Sequence, residues 1–485
     1  MTPHRLGSLA TLLFALVACG HPRKLKAVAV PSDTVLAVAA DPNLIEMTTE
    51  ATTTLVAAST TTQLGVRIQI RALELPAAKR PGLNLTLVLD TSGSMEGDAI
   101  VALRNGASKL IEQMRDGDRV SVIGFHSKVD VLAPNTVLDP AARKRIGAII
   151  AKVEARGTTD LAAGLAVGLQ QVQAGRLPDG INRIVVFSDG VPNTATTLPG
   201  LIASAHQSGI GVTTLGFGVD YDTTLMTQMA RDTGGSFHYI ETPDAVAAVF
   251  DDELTRMTTV VGRNLQLVLA AGPGVTIEPM PGLVINGDGK VYATIGDLPA
   301  GEKRDLMIPI KLTARGEGST AELVDATLTF DDVIGNSGRR RRDGFVAVKT
   351  SKDAAAVKRA VKIELEVSRV RTAAAGAILE AIALARQNQL ELARKRLANA
   401  SELVRAAATR LQDPELAKII AQIEEVAKQL AQLVPQQVIV QQQRVPNGYD
   451  APQNAPPQAP AVASPAIESQ LRRAEERASK AVTGR

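Results

Sequence analysis

A run of apolar residues, Leu85-Thr86-Leu87-Val88-Leu89, breaks off into Asp90-Thr91-Ser92-Gly93-Ser94-Met95. A continuous apolar run leaves no face for water, so it reads as a strand buried on both sides, as in a parallel sheet covered by helices. The abrupt change to an aspartate, two serines and a glycine then delivers a polar cluster to the carboxyl edge of that sheet. Open α/β sheets bind their ligands at that edge.

Asp90, Ser92 and Ser94 supply one carboxylate and two hydroxyls at alternate positions, and Gly93 lets the loop turn tightly between them. All three are hard oxygen donors, suited to Mg2+ or to Ca2+ or Mn2+, and poorly suited to a softer metal. Taken alone, the same residues would serve equally well as the cap of the next helix. Two further stretches change the balance. Gly157-Thr158-Thr159-Asp160-Leu161 places hydroxyls at a helix start, and Ile184-Val185-Val186-Phe187-Ser188-Asp189-Gly190 is a second buried strand that ends in an aspartate. Both fall at what would be the same sheet edge as Asp90.

Between Asp98 and Phe250 strands alternate with helices. Helices are expected at 99–114, 141–155, 161–172, 203–208, 223–232 and 243–256, and strands at 119–125, 184–187, 211–217 and 236–240. This alternation implies a doubly wound α/β unit with a mostly parallel sheet and helices on both faces.

The three stretches in this order, D-x-S-G-S, then G-x-T-D-L, then an apolar strand ending in S-D-G, resemble the von Willebrand factor A-type domain and its metal-ion-dependent adhesion site. Asp118 to Phe125, Gly209 to Gly218 and Leu225 to Phe237 are similar to the family as well. Within it the chain looks most like the bacterial branch called calcium-activated chloride channel-like. The resemblance implies that Ser92, Ser94 and Thr159 meet the metal through their hydroxyls, with Asp90 and Asp189 acting directly or through water. The family commonly has two glycines before the threonine where this chain has Gly157-Thr158, so Thr158 either crowds the loop or itself faces the metal. The resemblance further implies an ion with an open position that a partner's Asp or Glu fills, a binding device and not a catalyst.

Residues 1–18 have the layout of a secretory signal, with His4 and Arg5 near the start and an apolar run from Leu9 to Val17. That run is too short for a spanning helix, which needs about 20 apolar residues. Leu16-Val17-Ala18-Cys19 resembles the bacterial lipobox, and Cys19 is the only cysteine of the 485 residues. A lipidated Cys19 is therefore expected, anchoring the chain in a bacterial cell envelope through acyl chains; Gly20 after it favours the outer membrane. Which membrane face the chain occupies stays open.

Residues 19–63, rich in Ala, Thr, Val and Pro, read as a flexible tether. The alternation in 64–82 reads as a strand that joins a later β-sandwich, 83–258 as the metal-binding unit, and 259–350, with its period of two, as the sandwich itself. Arg339-Arg340-Arg341-Arg342 is expected in a solvated hairpin loop, with contact to an anionic lipid as the alternative. Residues 352–433 carry helical spacing for three antiparallel helices, with a break at Asp413-Pro414. Residues 434–466 form a Gln/Pro/Ala linker of disordered composition, and 467–485 a charged tail with the makings of a short helix.

A net charge of +3 does not indicate a nucleic-acid coat, and 2% aromatics argue against base-stacking platforms. The five histidines show no ligand spacing, and no histidine accompanies Ser92 or Ser188 in a nucleophile motif, so an enzyme is not expected. A channel is excluded by the absence of an apolar stretch of about 20 residues after the signal. The expected function is divalent-metal-dependent binding of a protein partner, as an adhesin or scaffold. The alternatives are an envelope lipoprotein that makes no use of the metal and, behind it, a metal-assisted hydrolase.

Overall fold

A computed structural model describes residues 43–74, 80–191, 196–219, 221–335, 338–433 and 464–484. The expected signal, Cys19 and nearly all of the Gln/Pro/Ala linker lie outside the described residues. Three strands come first, β1 (Ile45–Ala51), β2 (Leu55–Ala57) and β3 (Thr61–Ala72). An alternating stretch follows: β4 (Leu83–Asp90), α1 (Asp98–Gln113), β5 (Arg119–Phe125), β6 (Val129–Val137), α2 (Pro140–Ile150), α3 (Leu161–Ala174), β7 (Ile181–Ser188), α4 (Leu198–Gln207), β8 (Gly211–Phe217), α5 (Thr223–Thr233), β9 (Phe237–Ile240) and α6 (Pro243–Thr258). The chain then returns to strands in β10 (Val260–Ala271), β11 (Val275–Ile277), β12 (Leu283–Ile285), β13 (Val291–Pro299), β14 (Lys303–Thr313), β15 (Thr320–Asp332) and β16 (Gly338–Ser351). Five helices follow: α7 (Ala354–Arg359), α8 (Ile363–Arg386), α9 (Leu390–Leu411), α10 (Pro414–Ala431) and α11 (Pro465–Thr483).

All eight residues of β4 are buried. Because successive side chains of a strand point to opposite faces, Leu83, Leu85, Leu87 and Leu89 enter one core and Val88 the other. Helices α1 and α6 cover the first face and α3, α4 and α5 the second. The sheet runs β6-β5-β4-β7-β8-β9, parallel throughout except for β6. Its order reverses between β4 and β7, and the loops that leave these two strands run to opposite faces. A crevice therefore opens at their carboxyl ends, between Asp90 and Asp189, which is where sheets of this order take ligands. The approach of α3 to the sheet depends on Gly168, since a Cβ there would stand 2.6 Å from Val88 Cγ2.

The α/β layer is inserted into the β-sandwich between β3 and β10. One sandwich sheet is ordered β1-β3-β14-β11 and the other β12-β13-β10-β15-β16-β2, and their inward residues, such as Ile68, Ile70, Leu267 and Leu328, share a single core. Residues 43–63 are accordingly not a tether but edge strands of the sandwich. Ile45, Met47, Thr49 and Ala51 occupy alternate positions of β1, which pairs antiparallel with β3. Threonine fits a pleated, half-buried surface as well as valine does, so the Thr-rich composition concealed a strand. Strand β6, for which nothing was expected, carries Pro134 and sits at the sheet edge, where proline is tolerated.

Two more expectations are corrected. Arg339 to Arg342 lie within β16 and not in a loop: they pair in register with Asp331 to Leu328 of β15. Arg339 donates to Thr329 at 2.9 Å and Arg342 lies 5.2 Å over the Phe330 ring, so cross-strand partners hold the basic run in the ladder. The charged tail is a 19-residue helix, α11, whose Leu471, Ala478 and Val482 join the core of α8, α9 and α10. Arg386 of α8 reaches Glu475 at 2.9 Å and Glu468 at 3.3 Å. Among the described residues no helix is long and apolar enough to cross a membrane.

Candidate functional site

Asp90 closes β4 and is fully buried. Its Oδ1 accepts the Ser92 N–H at 2.9 Å and its Oδ2 the Ser188 hydroxyl at 2.5 Å. Burial pushes its carboxyl above the usual range, and hydrogen bonds from Ser188 and Ser92, with a smaller contribution from the charge of His126, oppose that push. Among the described residues no lysine or arginine pairs with it. A buried carboxylate with no lysine or arginine partner is an unfavourable arrangement that a bound cation would relieve.

The remaining predicted residues converge on the same point. A 3-10 turn at Gly93–Met95 brings Ser94 back over the strand end, so that the Ser92 and Ser94 hydroxyls lie 3.0 Å apart. Ser94 in turn donates to Asp189 Oδ1 at 2.8 Å, across from β4 to the end of β7. Asp90, Ser92 and Asp189 are buried and Ser94 is exposed, so the cluster opens to solvent on the Ser94 side.

Thr159 arrives from the loop before α3. A Cβ on Gly190 would stand 2.9 Å from Thr159 Oγ1, which places this hydroxyl against the Asp189 loop. Thr158 is exposed, whereas Thr159 is buried. The loop is tied to the first by Gly93 N–H donating to Gly157 O at 3.0 Å. Gly157 has φ +72°, and a Cβ on it would come within 2.6 Å of Ser127 Oγ. Asp160 is occupied as the cap of α3, accepting the Ala163 N–H at 3.0 Å.

Two carboxylates and three hydroxyls thus face one crevice, a donor set that fits a hard divalent cation. Among the described residues there is no group of three or more His, Cys, Asp or Glu able to hold a metal, the pattern a zinc site would need. Three residues at or beside the cluster escaped the sequence reading. Ser188 was visible only as part of the strand end, though a hydroxyl beside a strand-terminal aspartate is a signal. Arg156 and His126, which flank the threonine loop, belong to different elements, and only the parallel pairing of β4 with β5 brings them there.

Residues 84–252 match the family model for the von Willebrand factor type A domain. The α/β layer has that fold, carried on a sandwich and a helical unit. An uncharacterized protein of Synechocystis sp. is 30% identical over 271 residues, covering 53% of this chain and 63% of the relative. The uncharacterized protein YfbK of Escherichia coli is 26% identical over 219 residues, 44% of this chain and 38% of that protein. The chain thus spans under two thirds of the length of these curated relatives. A solved von Willebrand factor type A protein from Catenulispora acidiphila superposes with a TM-score of 0.64 at 17% identity, covering 89% of this chain and 97% of its own. The likeness in fold therefore extends beyond the α/β layer.

Proposed function

We propose that the protein binds a protein partner through a divalent cation, Mg2+ or else Ca2+ or Mn2+, held by Asp90, Ser92, Ser94, Thr159 and Asp189. The observation that carries this reading is the convergence of these oxygens around a fully buried Asp90 that pairs with no lysine or arginine among the described residues. Metal-dependent protein binding is common among von Willebrand factor type A domains. Bound there, the cation would neutralise Asp90 and offer an open position to a partner's Asp or Glu. Three of the five ligands are neutral hydroxyls, so the cation's charge is only partly offset by the protein and remains attractive to an incoming carboxylate. The same geometry argues for binding over catalysis, since none of the hydrogen bonds described around Ser92 or Ser188 comes from a histidine that could activate them.

The reading includes an envelope location. Leu16-Val17-Ala18-Cys19 supports lipidation of Cys19, and Gly20 supports the outer membrane. Partition of the wild-type chain into the detergent phase, lost in Cys19→Ala, tests that part.

Titration calorimetry of residues 20–485 with Mg2+, Ca2+ and Mn2+, beside Asp90→Ala, tests the site. The expected result is metal binding by the wild type alone, with partner capture from envelope extracts abolished by chelator. Equal capture with and without chelator, together with no heat of metal binding, would sink the proposal.

A further inference from the structure

Arg156 stands at the rim of this cluster. Its backbone N–H donates to Thr91 O at 2.7 Å, and Gly157 after it accepts from Gly93 at 3.0 Å. The segment before α3 is thereby laced to the loop that carries Asp90, Ser92 and Ser94. The Arg156 side chain is 62% exposed, yet it is held in place. Its Nη2 meets Asp130 at 2.7 Å, and its Nε donates to Nε2 of the buried His126 at 3.0 Å. The ring is itself held in place: its Nδ1 lies 3.2 Å from the backbone N of Lys128 and 3.2 Å from Ser127 Oγ. His126 follows Phe125, the residue paired with Asp90 across β4 and β5.

A solvated arginine ordinarily keeps its rotamer freedom and loses it only on binding. Here a buried imidazole and Asp130 have already removed that freedom while leaving the guanidinium in solvent. Nη1 has no acceptor among the described residues. Lys128, exposed on the β5–β6 turn next to Ser127, adds a second cation near the His126 that holds Arg156. Glu96 and Asp98, also exposed, follow Ser94 on the neighbouring loop. An acidic ligand at the cluster is attracted toward the exposed Arg156 guanidinium.

We infer that the site takes an acidic protein segment that offers two carboxylates, one to the cation and the second to the Arg156 guanidinium, with His126 as the residue that positions Arg156. This rests on the metal reading above. A pre-set guanidinium can take a carboxylate through two parallel, charge-assisted hydrogen bonds, and such pairs are the stronger class of polar contact.

The test uses the mature chain with Mn2+ and two fluorescein-labelled probes, hexaglutamate and a Gly/Ser peptide that contains one glutamate, followed by anisotropy. Hexaglutamate should bind about tenfold tighter than the single-glutamate peptide. Arg156→Ala should remove that advantage and leave both the single-glutamate affinity and the calorimetric Mn2+ affinity unchanged, and Arg156→Lys should restore part of it. Equal binding of hexaglutamate by wild type and Arg156→Ala, or equal weakening of both probes, overturns the inference. So does failure of the wild type to bind hexaglutamate while it still binds Mn2+, a result that leaves the metal site standing. Binding of both probes by Asp90→Ala at wild-type affinity would instead remove the metal reading, and this inference with it.

Discussion

Ser188 Oγ donates to Asp90 Oδ2 at 2.5 Å, with both residues fully buried, and so joins the carboxyl ends of β7 and β4 across the crevice. The bond offsets only part of the desolvation of Asp90, whose pKa in the fold lies above its ordinary value of 3.8. A carboxyl with a raised folded pKa opposes folding wherever it is ionised in the unfolded chain. Asp90→Asn should therefore raise the metal-free melting temperature at pH 7, and the gain should vanish below pH 3.8, where the unfolded carboxyl is protonated too. Mg2+ at about a hundredfold over its Kd should add about 2.7 kcal/mol to the wild type and nothing to the variant. Melting curves with and without Mg2+ at pH 7 and pH 3.5 check both signs; a lower metal-free melting temperature for Asp90→Asn at pH 7 would contradict them.

Gly157 has a narrower role. At φ +72° an L side chain is strained, and a Cβ would press on Ser127 Oγ at 2.6 Å and His126 Nδ1 at 3.2 Å. Gly157→Ala should displace the loop that brings Thr159 to Gly190, weakening metal binding about tenfold or more. The loss of global stability should stay near 1–2 kcal/mol, because the loop is on the surface. Calorimetry and urea unfolding separate the two effects, and unaltered metal affinity would mean that the Thr159 loop is not part of the site.

The parts of this fold that could be read from the chain are those where burial imposes one pattern on consecutive residues. Strands β4 and β7 are largely apolar on both faces and lead into Asp90 and Asp189, so the sheet and its polar edge announce themselves together. Strand β1 was missed because Thr48 and Thr49 hide an alternation that only pairing with β3 makes visible. Helix α11 was undervalued because its buried face includes Arg472, Glu475 and Ser469, polar residues whose partners come from distant segments. Arg156 shows the same limit at the site. Its neighbour Gly157 belongs to a motif, whereas its contact with His126 exists only because β5 lies beside β4.

Glu253 of α6 provides a test at acid pH. Burial alone would raise its pKa, but the hydrogen bond and charge of His238, the charge of Arg256 and the Thr213 hydroxyl outweigh burial and lower it from 4.5 to about 2. A carboxyl depressed in the fold contributes stability above its unfolded pKa and loses it as pH falls toward the folded value. The contribution, about 3 kcal/mol, should be complete above pH 5 and fade between pH 4.5 and pH 2. Urea unfolding of wild type and Glu253→Gln should show a stability gap at pH 6 that closes toward pH 2.5. A gap of constant size across that range would mean that lost packing, not charge, is responsible.

Helix α11 is also joined to the α/β layer. Arg472 is buried; its guanidinium lies 4.4 Å over the Tyr221 ring and donates to the carbonyls of Tyr221 at 2.7 Å and Val219 at 3.1 Å. Those carbonyls belong to the loop after β8, the neighbour of β7, so α11 fastens the same sheet edge that holds the cluster. Arg472 also meets Glu468 at 2.8 Å, and Ser469 donates to Glu241 at 2.6 Å beside it. Removing the guanidinium leaves two carbonyls without their donor and Glu468 with Arg386 alone, so Arg472→Met should cost about 2–4 kcal/mol even though methionine keeps much of the apolar volume. Because Asp90, Ser94 and Asp189 are positioned by β4 and β7 and not by this loop, metal affinity should change less than twofold, which corresponds to under about 0.4 kcal/mol. Urea unfolding and Mn2+ calorimetry on the same variant decide the matter. A large fall in metal affinity with intact stability would show that α11 shapes the site itself.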